Sequence, residues 1–141
     1  MPARANAEWR GELRTGSGTF SAGDSIHGEF SFHSRFEDGP GANPEQLIAA
    51  ALASCFSMAL SNALAQAGNP VESVRTDALA TIRQIDGAPT IATIALTTVG
   101  VVPGIDQATF EQFAQEAKTG CIIRRALAGV PEIPLEATLE G

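Results

Sequence analysis

The sequence predicts a single α+β domain over residues 1–141. Three observations lead to this fold class: strand-like patterns in the first third, one long apolar helix in the middle, and two later β-rich runs joined by a turn. Two β regions separated by a central helix are typical of α+β proteins. A chain of this length can bury roughly two-thirds of its unfolded surface, which is enough for one core.

Strands and turns are predicted before the long helix. Apolar and polar residues alternate in "AEWRGELR", whereas turn residues dominate "GSGTFSAGDS". The next run, "HGEFSFHSRFE", places Phe30 and Phe32 on one face of a strand, with His33 and Arg35 on the other. Arg35 is therefore expected near the end of a strand whose apolar face packs on the helix.

A long helix is predicted for "NPEQLIAAALASCFSMALSNALAQAGNP". Asn43 is a good N-cap, Pro44 suits the first helical position, and Gln46 can complete a capping box. Gly68, followed by Asn-Pro, ends the helix. Because the helix is apolar on almost every side, it is expected to be enclosed on every side, by a wrapped sheet and a partner subunit.

A hairpin, a second helix and a last strand are predicted after the long helix. The two β-rich runs are "VESVRTDALATIRQI" and "TIATIALTTVGVV", and "DGAP" joins them. Helical spacing runs from Asp106 to about Lys118, with Gly120 as the stop. Cys121 then opens a short helix, and "PEIPLEATLEG" alternates like a closing edge strand.

Composition and charge argue against several functions. The chain has 9 basic and 16 acidic residues, so its net charge is 9 − 16 = −7, and it shows no basic patch for nucleic acid or an anionic membrane. The start shows no apolar signal segment and serines interrupt the long helix, so a soluble, cytoplasmic protein is expected. His27 and His33 lack zinc spacing, so no metal site is expected, and no nucleotide-binding glycine pattern is present.

Cys55, near the middle of the long helix, has two interpretations. A buried free cysteine is usually inert. It becomes a nucleophile when a positive partner favours the thiolate, since the ordinary pKa is about 8.5. The positive end of its own helix is too distant to act, so a cation must come from elsewhere. Arg35 is the candidate, and its alternative role is an exposed ion pair with Glu37.

Glu45 and Cys121 are the remaining candidates. Glu45 can orient Arg35, or it can simply complement the helix dipole. It lies ten residues from Cys55, about 15 Å along a straight helix. A shared site therefore needs Arg35 as a bridge, a kinked helix, or a Glu45 from a second subunit. Cys121 is either a buried small residue or a resolving thiol at a helix start, where N–H groups lower a thiol pKa.

Two long segments, "SRFEDGPGANPEQLIAAALASCFSMAL" and "VPGIDQATFEQFAQEAKTGC", resemble the osmotically inducible protein C (OsmC) family, relatives of the organic hydroperoxide resistance (Ohr) proteins. The likeness extends over nearly the whole chain. It implies an OsmC-like fold: an intertwined homodimer with long central buried helices wrapped by antiparallel β-sheets. It also implies a peroxiredoxin-like, thiol-dependent peroxidase of the stress response. Such an enzyme reduces small organic hydroperoxides, uses no metal, haem or flavin, and needs an external dithiol reductant.

The same resemblance assigns roles to four residues, in active sites at the subunit interface. Cys55 is the peroxidatic cysteine, and Cys121 is the resolving cysteine that forms a disulfide with it. Arg35 is the activating arginine, with Arg14 as the alternative, and Glu45 is its carboxylate partner. The alternative function is a non-catalytic ligand-binding or structural dimer with inert buried cysteines.

The resemblance has one departure and one implication for the substrate. The family usually has proline and serine after the second cysteine, where this chain has Ile122 and Arg124. Slower resolution by Cys121, or resolution by an external thiol, is expected from that change. An apolar lining around Phe36, Phe56 and Met58 is expected to admit alkyl hydroperoxides.

Overall fold

The computed structural model of the protein describes residues 1–140. The chain forms two units, the first over Met1–Leu47 and the second from Ile48 onwards. Both contain a three-stranded sheet, and one long helix begins in the first unit and continues into the second. The predicted α+β class is confirmed, and the single domain over residues 1–141 stays a prediction.

The first unit is built on an antiparallel sheet of β1 (Ala5–Arg10), β2 (Ser17–Ala22) and β3 (Ile26–Phe30), in that order. The interpretation of "GSGTFSAGDS" as turn is wrong, because this run supplies β2.

Cross-strand aromatic rings explain why a glycine-rich run forms a strand here. Gly18 lies opposite Phe30, and Phe20 lies opposite Gly28. A Cβ at Gly18 would come within 2.5 Å of the Phe30 ring, and a Cβ at Gly28 within 2.5 Å of the Phe20 ring. Each glycine is thus covered by the ring across from it, an arrangement that compensates for its missing side chain. The strand propensities of single residues do not reveal such cross-strand pairs of glycine and an aromatic ring.

Arg35 lies on a short helix, α1 (Phe32–Phe36), so its predicted place on a strand is wrong. Ser31 and Ser34 form a capping box: Ser34 N–H donates to Ser31 Oγ at 3.1 Å, and Ser31 N–H donates to Ser34 Oγ at 2.8 Å. This reciprocal pair satisfies the first free N–H groups of a helix. The chain therefore leaves the sheet at Phe30 and turns into a helix.

The long helix is α2 (Pro44–Gln66), and its predicted N-terminal boundary is confirmed. Gln46 N–H donates to Asn43 Oδ1 at 2.8 Å, and Asn43 N–H donates to Gln46 Oε1 at 3.1 Å. At the other end Gly68 has a positive φ of 87°, and Asn69 N–H donates to the Leu64 carbonyl at 2.8 Å. This is the glycine-terminated helix end that the sequence predicts.

The second unit contains a mixed sheet ordered β4 (Ser73–Ile85), β5 (Ala88–Val101), β6 (Leu135–Leu139). The hairpin prediction is confirmed: Asp86 and Gly87 join β4 and β5 in a two-residue turn with positive φ at both positions. The sheet is not purely antiparallel as expected, because β6 pairs with β5 in parallel.

Two helices lie between β5 and β6. The first is α3 (Gln107–Gly120), whose N-cap Asp106 accepts a hydrogen bond from Thr109 N–H at 2.9 Å. The second is α4 (Ile122–Ala126), with Cys121 at its N-cap position. Both helix predictions are confirmed.

One face of α2 forms the core of the second unit. Leu52, Phe56, Leu60 and Leu64 recur every fourth residue and are fully buried. They pack in one cluster with residues of β5, α3 and the segment after α4. The opposite face is open, since Met58 is 74% exposed. Enclosure on every side is therefore not achieved within one chain. The helix is long and apolar enough to cross a membrane, but a core helix passes the same test.

Candidate active site

Two free cysteines meet between α2 and α4 in the second unit. Cys55 lies in the middle of α2 and is half-buried, whereas Cys121 is 1% exposed. The two thiol groups interact with each other. The fold thus brings together the two cysteines that the sequence singled out.

The start of α4 supplies hydrogen-bond donors to Cys55. Burial raises the pKa of the Cys55 thiol, but the Cys121 thiol and the backbone N–H groups of Ile123 and Ile122 lower it. The net effect is a pKa below the ordinary value. N–H groups in the first turn of a helix are known to favour a thiolate. The expectation that help must come from a cation is therefore incomplete, because a second helix contributes as well.

The pKa of the Cys121 thiol is shifted in the opposite direction, above its ordinary value. Burial raises the pKa of its thiol, and the neighbouring Cys55 raises it further. The backbone N–H groups of Arg124 and Ile123 offset only part of this effect. Cys55 is therefore the more acidic thiol of the pair and is the better nucleophile at neutral pH.

Arg35 and Glu45 are paired in the first unit. Arg35 Nη2 donates to Glu45 Oε1 at 2.7 Å, and Arg35 Nε lies 3.1 Å from the same oxygen and 3.4 Å from Oε2. The Glu45 side chain is 12% exposed and the Arg35 side chain is 41% exposed, so the carboxylate is largely removed from water whereas the guanidinium stays partly solvated. The alternative pair of Arg35 with Glu37 does not form, because Glu37 contacts His33 Nδ1 instead.

An apolar cavity of about 260 Å³ lies beside Arg35 in the first unit. Its lining residues are Trp9, Leu13, Phe30, Ser31, Phe32, Arg35 and Phe36. Sequence reasoning missed Trp9 and Leu13, whose only signal was an apolar side chain in a polar segment. Arg14, the alternative arginine, lies nearby with its Cζ 4.6 Å from the centre of the Phe32 ring.

The expected substrate lining is only partly correct. Phe36 does line the cavity and is 50% exposed. Phe56 cannot do so, because it is fully buried in the core of the second unit. Met58 lies on the open face of α2. The helical period explains this difference, since Phe56 belongs to the Leu52–Leu60 stripe that faces the core.

The structure thus forms two pairs: Arg35 with Glu45 in the first unit, and Cys55 with Cys121 in the second. Contact between the arginine and the nucleophile stays a prediction. Within residues 1–140, no cluster of three or more His, Cys, Asp or Glu side chains could hold a metal ion.

A thiol of lowered pKa beside a buried second thiol defines a thiol-redox site, in which oxidation of one sulfur can be followed by disulfide formation. The chain belongs to the OsmC family: the family model described as OsmC-like protein matches residues 37–136. It is 40% identical over 139 residues to the protein of Escherichia coli (strain K12) named peroxiredoxin OsmC, a match that covers 97% of this chain and 96% of that relative.

Solved structures have the same fold. An OsmC-like protein from Mycoplasma pneumoniae superposes with a TM-score of 0.75 at 18% identity, covering 100% of this chain and 99% of the other. The organic hydroperoxide resistance protein OhrB of Bacillus subtilis gives a TM-score of 0.69 at 21% identity, covering 97% and 98%. The predicted OsmC-like fold is therefore confirmed.

Proposed function

We propose that the protein is a cysteine-based peroxidase that reduces organic hydroperoxides to alcohols, and hydrogen peroxide more weakly to water. The observation on which this proposal rests is the contact between the Cys55 and Cys121 thiols, in which Cys55 has the lowered pKa. The predicted class of a peroxiredoxin-like enzyme is confirmed by the match to peroxiredoxin OsmC across almost the whole chain.

The first step is attack by the Cys55 thiolate on the terminal oxygen of the peroxide. The O–O bond breaks, Cys55 becomes a sulfenic acid, and the other oxygen leaves as an alkoxide that takes up a proton. Arg35 stabilises both the thiolate and the leaving oxygen by charge and hydrogen bonding. Glu45 keeps the guanidinium aimed, and the short Nη2–Oε1 distance of 2.7 Å supports that role.

The second step closes a disulfide. Cys121 attacks the sulfur of the Cys55 sulfenic acid, and hydroxide leaves as water. The contact between the two thiols supports this role, because the sulfur atoms that would form the bond already lie next to each other. An external dithiol then reduces the disulfide by exchange, and the protein itself needs no prosthetic group.

The apolar cavity supports an organic substrate. Its walls are mainly aromatic, and Arg35 supplies its one charged side chain. An alkyl or aryl group gains from leaving water for such a cavity, whereas hydrogen peroxide has no apolar surface to bury. The organic peroxide is therefore the favoured substrate when the reaction takes place next to this apolar cavity.

The partner that covers the open face of α2 is a second copy of the chain. Large apolar side chains are exposed on one chain, among them Met58 at 74% and Leu79 at 67%. A homodimer with active sites at the interface would bury such residues, and Arg35 would then reach Cys55 within one chain or across the interface. A monomer with full activity in solution would contradict this assembly. The two free thiols are consistent with a cytoplasmic location.

A kinetic comparison tests the proposed function. Cumene hydroperoxide and hydrogen peroxide are added separately to the reduced protein, and the rate of thiol loss is measured. The organic peroxide is expected to react faster, and Cys55→Ser is expected to abolish peroxide-dependent thiol loss. The alternative, a structural dimer with inert cysteines, instead predicts ordinary thiol reactivity and no difference between the two peroxides.

A further inference from the structure

A positively charged pocket lies where the ends of α3 and α4 meet. Its volume is about 430 Å³, and its lining residues are Lys118, Thr119, Arg124, Arg125 and Ala128. Three of the chain's nine basic side chains converge on this pocket, although the whole chain has a net charge of −7. The expectation of a chain without a basic patch is wrong here, because the three cations lie on two helices and meet only in the fold.

These three cations have no carboxylate partner within residues 1–140, where the ion pairs involve other residues. Lys118 Nζ donates to the Ile133 carbonyl at 3.1 Å, which anchors the amine without neutralising it. All three residues lie in last helical turns, where cations complement the helix dipole. Dipole compensation does not require the side chains to line one pocket. The surplus of positive charge there suits an anion.

The pocket adjoins the segment of chain that carries the Cys121 thiol. Thr119 lies two residues before Cys121, and Arg124 lies three residues after it, one helical turn away. The backbone N–H of Arg124 also acts on the Cys121 sulfur. Arg124 therefore links the pocket to the cysteine pair, since its side chain lines the pocket and its N–H contacts the Cys121 sulfur.

We propose that this pocket binds the carboxylate of a small thiol reductant and guides that reductant to the Cys55–Cys121 disulfide; the inference rests on the proposed peroxidase function. Charge complementarity identifies the occupant. The reacting form of a thiol reductant is an anion, and a protein of net charge −7 repels anions overall. A local positive pocket reverses that repulsion where the disulfide forms.

The exchange needs no other reactant. One reductant thiolate attacks a sulfur of the disulfide, so that a mixed disulfide forms and the other cysteine leaves as a thiolate. The second thiolate of a dithiol, or a thiolate of another molecule when the reductant is a monothiol, attacks the reductant's sulfur in the mixed disulfide and releases the second cysteine. Two thiolates are oxidised to one reductant disulfide, two electrons reach the cysteine pair, and the carboxylate is unchanged.

The test uses full-length protein oxidised with one equivalent of cumene hydroperoxide and freed of peroxide. Reduction by 3-mercaptopropionate is compared with reduction by its uncharged amide, each rate being expressed per thiolate. The wild type is expected to favour the carboxylate. Arg124→Gln/Arg125→Gln should slow reduction by the carboxylate about fivefold to tenfold, the size expected for losing two partly exposed ion pairs, and leave the amide unaffected.

Two further variants distinguish the effect of positive charge in the pocket from the effect of the net charge of the protein on the reduction rate. Arg75→Gln/Arg83→Gln makes the same charge change on β4 and should keep the preference for the carboxylate. Arg124→Lys/Arg125→Lys retains both charges and should keep most of the rate. Equal preference in the wild type and in Arg124→Gln/Arg125→Gln would overturn the inference while leaving the peroxidase function intact.

Direct binding is measured independently of the chemistry. Succinate, which has no thiol, is titrated into the reduced protein, and NMR shifts are expected to concentrate between Lys118 and Ala128. A lack of such shifts would overturn the pocket assignment. Failure of the disulfide to form is seen before any reductant is added, and that result refutes the peroxidase function rather than the pocket.

Discussion

Replacement of Ile122 by proline tests the role of the α4 N–H groups in activating Cys55. Proline has no N–H, so Ile122→Pro removes one of the donors that lower the pKa of the Cys55 thiol. Position 122 is the first residue of α4, where proline is well tolerated. Cys121 already has the extended backbone, φ −65° and ψ 127°, that a residue before proline adopts. The variant should therefore fold normally.

The expected effect follows from the energy of one hydrogen bond to a charged acceptor. A net loss of about 1.5 kcal/mol, the lower end of the range for charged acceptors because Cys55 is only half-buried, reduces the thiolate population at neutral pH roughly tenfold. The thiolate forms as pH rises through the thiol pKa, so raising that pKa moves the onset of reactivity to higher pH. The assay is the rate of iodoacetamide alkylation of Cys55 between pH 5 and pH 10, with Cys121→Ser in the background so that only one thiol reacts.

Ile122→Ala is the matched control. It keeps the N–H and removes a side chain that is 73% exposed, so its pH midpoint should equal that of the parent protein. If Ile122→Pro and Ile122→Ala show the same midpoint, the α4 N–H groups do not activate Cys55. The departure from the family pattern at this position would then have no electrostatic consequence.

Three other substitutions test separate parts of the account. Cys121→Ser should allow a single turnover and leave a Cys55 sulfenic acid that dimedone traps; continued disulfide formation within the chain would contradict the resolving role. Arg35→Lys should lower the peroxide reaction rate although the charge is kept, because an ammonium group cannot hold Glu45 in a fork and face the peroxide together; an unchanged rate would remove Arg35 from the mechanism. Leu60→Ala should lower the free energy of unfolding by about 2–5 kcal/mol in urea titration, because Leu60 is fully buried; a loss below about 0.5 kcal/mol, typical of surface sites, would mean that this face of α2 is not core.

Local signals account for what the sequence predicted well. The Asn43–Gln46 capping box and the stop at Gly68 depend on residues within one turn of each other, so both ends of α2 can be predicted from the sequence. The Asp86–Gly87 turn is equally local, since two positive φ angles require these residue types. The family pattern around Cys55 and Cys121 then added the pairing of two distant cysteines, which spacing alone does not give.

Contacts between residues far apart in the chain account for the features that the sequence did not predict. The strand at Gly18 depends on a ring across the sheet, and the capping box at Ser31 competes with an alternation that looks like a strand. The donors to Cys55 come from a helix that begins at Ile122, far along the chain. Neither the sheet register nor the packing of α4 on α2 can be derived from residue order without the fold.

The central claim is that Cys55 and Cys121 are redox partners, and peptide mapping tests it most directly. The reduced protein is treated with one equivalent of cumene hydroperoxide, blocked with iodoacetamide without reduction, and digested for mass spectrometry. The account predicts a peptide pair linked through Cys55 and Cys121 and a loss of two hydrogens from the intact chain. Two alkylated cysteines after treatment, or oxygen added to Cys55 with Cys121 still free, would contradict it.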